Sequence, residues 1–379
     1  MIKVRWSIWL FCLIPLLISC QSRNGVEEIT SNSNESSQTP PEVLPLDEEP
    51  REVKTLELDT NDLVKVIGWV NEEEILYVSN VKGTHQIIRY HLYTEEESLI
   101  YKTEHPFVEA LISKSKQQLM VHTAPITYSA HLVIIDMKGN VLQEKDIPSY
   151  ELMSKWNDFE EGLLFITKFD EHWNHQTFLW NLSNNDLIVL EEAEPFLTWR
   201  NEDTWLYQRW STSDIQLTAP LYESGFHKDE KLLNEEVYQF DVFEDFLMEI
   251  IVTEDDLDKA RYDFFGRSSE KLSASFTVPH LDKYSNWLVP FYSQGEESFF
   301  TFVPYQSGLM DAYQDQYQLV QWDASKGKEN VLFDKVENEP LLCNSIGSLC
   351  LYGYQGEKLI DVEKSEIIQL VEEKGEVTE

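Results

Sequence analysis

Hydrophobic and polar positions along this chain repeat with a long period. From about Val53 to Val371, an aromatic or apolar residue is followed seven positions later by an apolar residue in a hydrophobic run. The pairs are Trp69 and Leu76, Ile112 and Leu119, Trp156 and Leu163, Trp199 and Leu206, Phe240 and Leu247, Tyr292 and Phe299, and Leu342 and Leu349. Their leading residues lie 43, 44, 43, 41, 52 and 50 positions apart, the range of propeller blades. Each unit divides into four short runs rich in Ile, Leu, Val and aromatic residues. The second unit is the clearest, with "VEALIS", "QLMVHT", "HLVIID" and "NVLQEKD". Turn formers separate the runs, as in "MKGN" (137–140), "SNND" (183–186) and "SKGK" (325–328). Runs of this length and composition predict strands, and nothing after residue 20 carries the periodicity of an amphipathic helix. The predicted fold class is all-β, a β-propeller of four-stranded blades. Seven blades are counted, or six if the last unit merges with the chain ends. A sandwich or solenoid does not account for four-strand units at this period. "KTLELD" (54–59) is placed as the outer strand of the last blade, closing the ring.

The chain ahead of the repeats has a different character. An apolar run, Trp6 to Ile18, follows Lys3 and Arg5. It is short for a membrane span of roughly 20 residues and matches the basic and apolar regions of a signal peptide. It ends in Leu17-Ile18-Ser19-Cys20, which resembles the bacterial lipobox. That resemblance implies cleavage after residue 19 and a covalent diacylglycerol on the Cys20 thiol. Residues 21–52 are rich in Ser, Asn, Glu and Pro and contain no aromatic residue. Such a stretch cannot bury enough surface to order itself. The expected organisation is a signal peptide (1–19), a lipidated cysteine with a disordered tether (20–52), a propeller (53–371) and a disordered tail (372–379). As a flexible coil the tether spans about 30 Å.

Charge limits the partners. The formal net charge is −38, and it becomes more negative once Lys3 and Arg5 are removed. Nucleic acid is therefore excluded as a partner. An anionic lipid surface repels the folded part, so membrane attachment falls to the lipid. Of the four cysteines, Cys12 lies in the leader and Cys20 takes the lipid. Cys343 and Cys350 share the seven-residue offset that links the first two strands of each blade. A hairpin there could bring their Cβ atoms to disulfide distance, and an extracytoplasmic setting permits the bond. The alternative is two buried thiols.

In a four-stranded blade, the turns after strands one and three lie on one face of the ring, here face I. The turns after strand two and the links between blades lie on the other, face II. The face I turns, such as "NEEE" (71–74), "KSKQ" (114–117), "NDFEE" (157–161) and "NED" (201–203), are short and charged and read as solvated hairpin ends. The face II loops carry aromatic and other large side chains: Tyr128, Trp173, Trp210, Tyr305, Met310, Tyr313 and Tyr354. Tyr and Trp on loops suit a binding face; otherwise they pack beneath their own loops. His172 and His175, beside Asp170 and Glu171, suggest zinc, and "EDDLD" (254–258), centred near Asp255, suggests calcium. Neither has a full ligand pattern, so no cofactor is expected. Trp69, Trp156 and Trp199 recur at one place in the repeat and read as packing between blades. No G-x-S-x-G, Walker or H-E-x-x-H motif occurs.

The lipobox-like leader, the polar tether and repeats such as "WVNEEEILY" (69–77) and "WRNEDTWLY" (199–207) resemble the YqgU-like propeller lipoproteins of Gram-positive bacteria. The resemblance covers residues 53–371 and implies an extracytoplasmic propeller, described for that family as six-bladed. It brings no catalytic residues. The expected function is a binding or scaffold module at the interface between membrane and cell wall, with a protein or wall-glycan partner. The alternative is a propeller-type hydrolase or lyase acting on wall sugar or peptide with a metal at the channel mouth. That reading makes His122, His172 and His175 its first candidates.

Overall fold

The computed structural model describes residues 51–58, 62–211, 216–253, 256–267, 271–283, 286–296, 298–323 and 327–373. Cys20 and Asp255 lie outside the described residues. Among the described residues the strands form seven successive four-stranded antiparallel sheets, each in chain order, together with a small three-stranded sheet (Leu281–Lys283, Asn286–Leu288, Gly308–Leu309) and a two-stranded pairing of the chain ends. Blade 1 spans residues 63–103, blade 2 107–148, blade 3 151–190, blade 4 198–237, blade 5 239–279, blade 6 292–336 and blade 7 341–369. The all-β propeller expected from the period is the fold observed, with seven blades. Among the described residues the only helical element is one turn, Met310–Ala312, and no helix is long and apolar enough to cross a membrane.

The second strand of each blade explains the hydrophobic runs. In blade 1 it contains Ile75-Leu76-Tyr77-Val78, all buried. Successive side chains point to opposite faces of a strand. Ile75 and Tyr77 accordingly join a cluster with Leu349, Leu351 and Leu359 of blade 7. Leu76 and Val78 join one with Leu119, Val121 and Val133 of blade 2. A sheet covered on both faces needs apolar residues at every position, so alternation disappears. The fourth strands, as in Val141–Pro148, are largely exposed. Among the described residues there are seven such clusters, one for each blade interface. The seventh joins blade 7 to blade 1 and closes the ring. Trp69, Trp156 and Trp199 are buried within these clusters.

Closure differs from the expectation for residues 54–59. Blade 7 supplies its own outer strand, Glu366–Gln369. Strand Leu56–Leu58 instead pairs in parallel with Val371–Glu373, with Leu56 opposite Val371. The propeller's last strand thus extends past 371. Four strands already complete blade 7, so the N-terminal strand adds to the chain segment that follows them. The chain reaches this seam from face I. Arg51 lies 2.7 Å from Glu73 and 4.6 Å over the Tyr93 ring, both on turns of that face. Across the seam, Trp69 Nε1 donates to the Leu342 carbonyl at 2.8 Å and Val66 N to that of Gln355 at 2.7 Å. Gly356 sits at φ +71, where a Cβ would lie 2.9 Å from Val66 Cβ.

Cys343 and Cys350 stand directly opposite each other in the first hairpin of blade 7 and are joined by a disulfide. The acidic stretch 253–263 is mostly strand: one strand ends at Thr253 and the next begins at Asp256.

Candidate functional site

On face II, blades 2 and 3 enclose a groove of about 440 Å³, lined by Tyr128, Tyr150, Phe169, Glu171, His175 and Gln176 among others. Its position follows from two long hairpins. The second and third strands of blade 2, Gln118–Ile126 and Ser129–Asp136, leave only a two-residue turn, which puts Tyr128 at a tip. There Tyr128 is 59 % exposed, and its ring lies 5.9 Å from that of Tyr150. The two backbones are tied in: Ser149 N donates to the Tyr128 carbonyl at 3.1 Å and Tyr150 N to that of Phe169 at 2.8 Å.

The loop of blade 3, residues 170–174, is built around Asp170. Its carboxylate accepts from His172 N (2.8 Å), Asn174 N (2.9 Å) and Asn174 Nδ2 (2.8 Å). These bonds, the Asn174 side chain foremost, hold the Asp170 carboxyl below the usual carboxylate range. Asp170 N donates to Asn174 O and Trp173 N to Asp170 O, both at 3.0 Å. Residues 136–140 make the same turn. Asp136 there accepts from Lys138 N, Asn140 N and Asn140 Nδ2, and the left-handed fourth position is Gly139, φ +84. In the face II loop that position is Trp173, φ +64. Glycine takes this conformation without penalty, whereas a bulky L-residue pays about 1–2 kcal/mol. Trp173 is also 64 % exposed. It leans on Phe169 at 5.8 Å, and Phe196, also exposed, flanks Phe169 at 6.2 Å.

The other sequence-derived positions fall elsewhere. Trp210 is exposed on the blade 4 loop. Tyr305 is exposed, but its hydroxyl donates to Asp334 and accepts from Lys335 N. Met310 and Tyr313 are half-buried against the core between blades 6 and 7. The Tyr313 hydroxyl donates to the Gln316 carbonyl at 2.8 Å. These two follow the alternative of packing beneath their own loop. Tyr354 is exposed, with Phe291 edge-on at 6.4 Å. Tyr150 and Phe196 lie in the links between blades, which share face II, whereas the aromatic residues singled out from the sequence for that face all lie in the turns after second strands. The D-x-x-x-N spacing shared by 136–140 and 170–174, with Gly in one and Trp in the other, was the available signal for Trp173.

The three histidines do not converge. His122 is 5 % exposed in the second strand of blade 2, and its Nδ1 lies 3.8 Å from Glu109. The exposed His172 lies 3.9 Å from Glu171. His175 Nε2 lies 3.1 Å from the Ala193 carbonyl. Among the described residues no group of three or more His, Cys, Asp or Glu is placed to hold a metal ion.

A family model described as "YqgU-like 6-bladed beta propeller domain" matches residues 91–353. The matched segment takes in five whole blades and parts of blades 1 and 7, so this chain completes seven around a span its family describes as six. The uncharacterized lipoprotein YqgU of Bacillus subtilis (strain 168) is 27 % identical over 317 residues, covering 82 % of this chain and 85 % of that protein. The crystal structure of the uncharacterized protein lmo1340 from Listeria monocytogenes EGD-e superposes with a TM-score of 0.79 at 23 % identity, over 86 % of this chain and 99 % of that one. The propeller domain of the Trilobed protease from Pyrococcus furiosus, described as having an open velcro topology, gives 0.56 at 11 % identity over 83 % and 98 % of the two chains. These structural likenesses concern the fold.

Proposed function

The chain belongs to the YqgU-like beta-propeller domain family, and from that premise we propose that it is a lipid-anchored, extracytoplasmic binding module. Its relative is called a lipoprotein, and its own leader ends in the lipobox-like Leu17-Ile18-Ser19-Cys20. Cys20 carries the anchor, and the tether expected over residues 21–52 links it to the propeller. The binding surface is the face II groove between blades 2 and 3, and its partner is a polymer of the cell wall. One observation carries this reading: on the loop whose Asp170, Glu171 and Asn174 wall the groove, an exposed tryptophan beside that wall occupies a glycine position. Trp173 gains little burial to offset its left-handed backbone, and residues held in such conformations cluster at ligand sites. Exposed Trp and Tyr rings give a partner large apolar area at little entropic cost. Glu171, Gln176 and the Tyr128 hydroxyl supply polar contacts at the rim.

The test is co-sedimentation of the lipid-free protein with purified cell wall. Trp173→Gly, which recreates the 136–140 turn, and Tyr128→Ala should each weaken retention about 10-fold or more. Retention of both variants at the wild-type level would sink the proposal. Mass spectrometry of the membrane-extracted protein tests the anchor: cleavage before Cys20 and a diacylglycerol mass on that residue are expected.

A further inference from the structure

On face I, the first strands of the blades converge on the ring axis around a cavity of about 700 Å³, lined by residues of blades 1, 2, 3, 5, 6 and 7. Its walls include Ile112, Leu342, Trp69 and Trp156. Both indole N–H groups are already committed, Trp69 to the Leu342 carbonyl and Trp156 to that of Glu161 at 2.9 Å. The tryptophans therefore offer the cavity apolar surface only.

The charged residues of the cavity are unusual for so acidic a chain. Lys114 of blade 2 reaches across to Glu244 of blade 5 at 2.7 Å. Lys116 and Lys155 also line the cavity, and neither has an ion-pair partner within 4 Å among the described residues. Glu72 and Asp158 line it with them. Glu72 Oε2 and Ser154 Oγ are buried with no hydrogen-bond partner among the described residues. Burial pushes the Lys116 ammonium below its usual range, Lys114 adding to the effect. Lys116 and Glu72 are thus half-buried beside the exposed Lys155 and Asp158, and Glu72 Oε2 and Ser154 Oγ keep hydrogen-bonding capacity that a ligand would satisfy, Glu72 Oε1 already accepting from Ser345 Oγ.

We propose that the axial cavity binds a small zwitterionic peptide, its carboxylate on Lys116 and Lys155 and its ammonium on Glu72 and Asp158. A simple anion would meet Glu72 and Asp158, and a simple cation would meet the lysines. A molecule bearing both charges satisfies both sets at once through charge-assisted hydrogen bonds. A cavity of this size lies in the range of small-ligand sites. A membrane surface is too flat to reach the half-buried Lys116 and Glu72. This site is on the face opposite the aromatic groove and stands independently of it.

The experiment is isothermal titration of the full-length protein in detergent micelles with L-alanyl-L-alanine and L-trialanine. N-acetylated and C-amidated forms of both, and inorganic phosphate, complete the set. A free peptide should bind with one-to-one stoichiometry, and blocking either terminus should weaken it about 10-fold or more. Lys155→Gln and Lys116→Gln should weaken it similarly, and Trp173→Gly on the far face should leave it unchanged. Because Lys116 has left-handed backbone, φ +61, the Lys155 variant and the blocked peptides keep the test valid if Lys116→Gln folds poorly. No binding of either free peptide up to about 10 mM, equal binding of blocked and free peptides, or binding of phosphate alone would each overturn the proposal.

Discussion

Replacing Cys343 and Cys350 together by alanine probes how the ring secures its last blade. The two residues are seven apart in sequence, so their bond closes a loop of about eight residues, and the chain-entropy model assigns such a loop about 2.5 kcal/mol. Both side chains are buried in the core between blades 6 and 7. The Cys343 N–H donates to Ser293 Oγ at 2.9 Å, a contact that alanine preserves. The principal loss is therefore the cross-link. For roughly 320 folded residues the unfolding entropy is about 0.67 kcal/mol/K, which turns that loss into a fall in Tm of about 4 °C. Calorimetry of the wild type, the reduced wild type and the double variant should show the same fall in the last two. Hydrogen exchange should quicken at Leu349–Tyr352 before it does in blade 3, because the loss is local. A Tm within 1 °C of wild type, or two titratable thiols in the unreduced protein, would refute the reasoning.

Three further outcomes follow from the packing and charge of the ring. Glu249 is 4 % exposed, and burial raises its pKa above the ordinary 4.5. Its stabilising contribution is present below pH 4.5 and is lost as the pH rises through the raised value. Glu249→Gln, which can still accept from Asn234 Nδ2 (2.8 Å in the wild type), should match the wild type near pH 4 and exceed its Tm at pH 7; a lower Tm at pH 7 would contradict this. Gly356→Ala meets both a left-handed backbone and Val66, and should cost about 1–3 kcal/mol in thermal unfolding; an unchanged Tm would mean that the seam yields freely. Leu76→Ala opens the interface between blades 1 and 2 and should cost about 2–5 kcal/mol, whereas truncating the exposed Leu142 should change stability by less than about 0.5 kcal/mol; equal effects in denaturant melts would argue against that interface.

The blades were legible because each depends on one strand buried on both faces, and a run such as "EILYV" marks that strand whatever the loops do. The period then counts the interfaces. The seam was less legible. Residues 54–59 look like a strand, but their partner is fixed by whether blade 7 already has four strands, and that depends on the short run Glu366–Gln369. The sites were read least well. Lys114 and Lys116 looked like solvated turn residues, because local sequence does not reveal which hairpin ends point toward the axis. Met310 and Tyr313 looked like surface anchors, because nothing local shows a twelve-residue loop folding back over its own core. Tyr128 and Trp173 were singled out separately. Their nearness to one groove comes from the lengths of two hairpins on neighbouring blades.

The path of the chain at the seam has a mechanical consequence. A pull applied at Arg51 reaches strand Leu56–Leu58 before it reaches the blades. That strand is fastened to Val371–Glu373 by a parallel ladder, so the pull acts along the strands and loads the rungs together in shear, not one at a time as in peeling. The clasp is therefore the first element that a pull on residue 51 meets, whereas the ring itself stays closed by the apolar interface between blades 7 and 1.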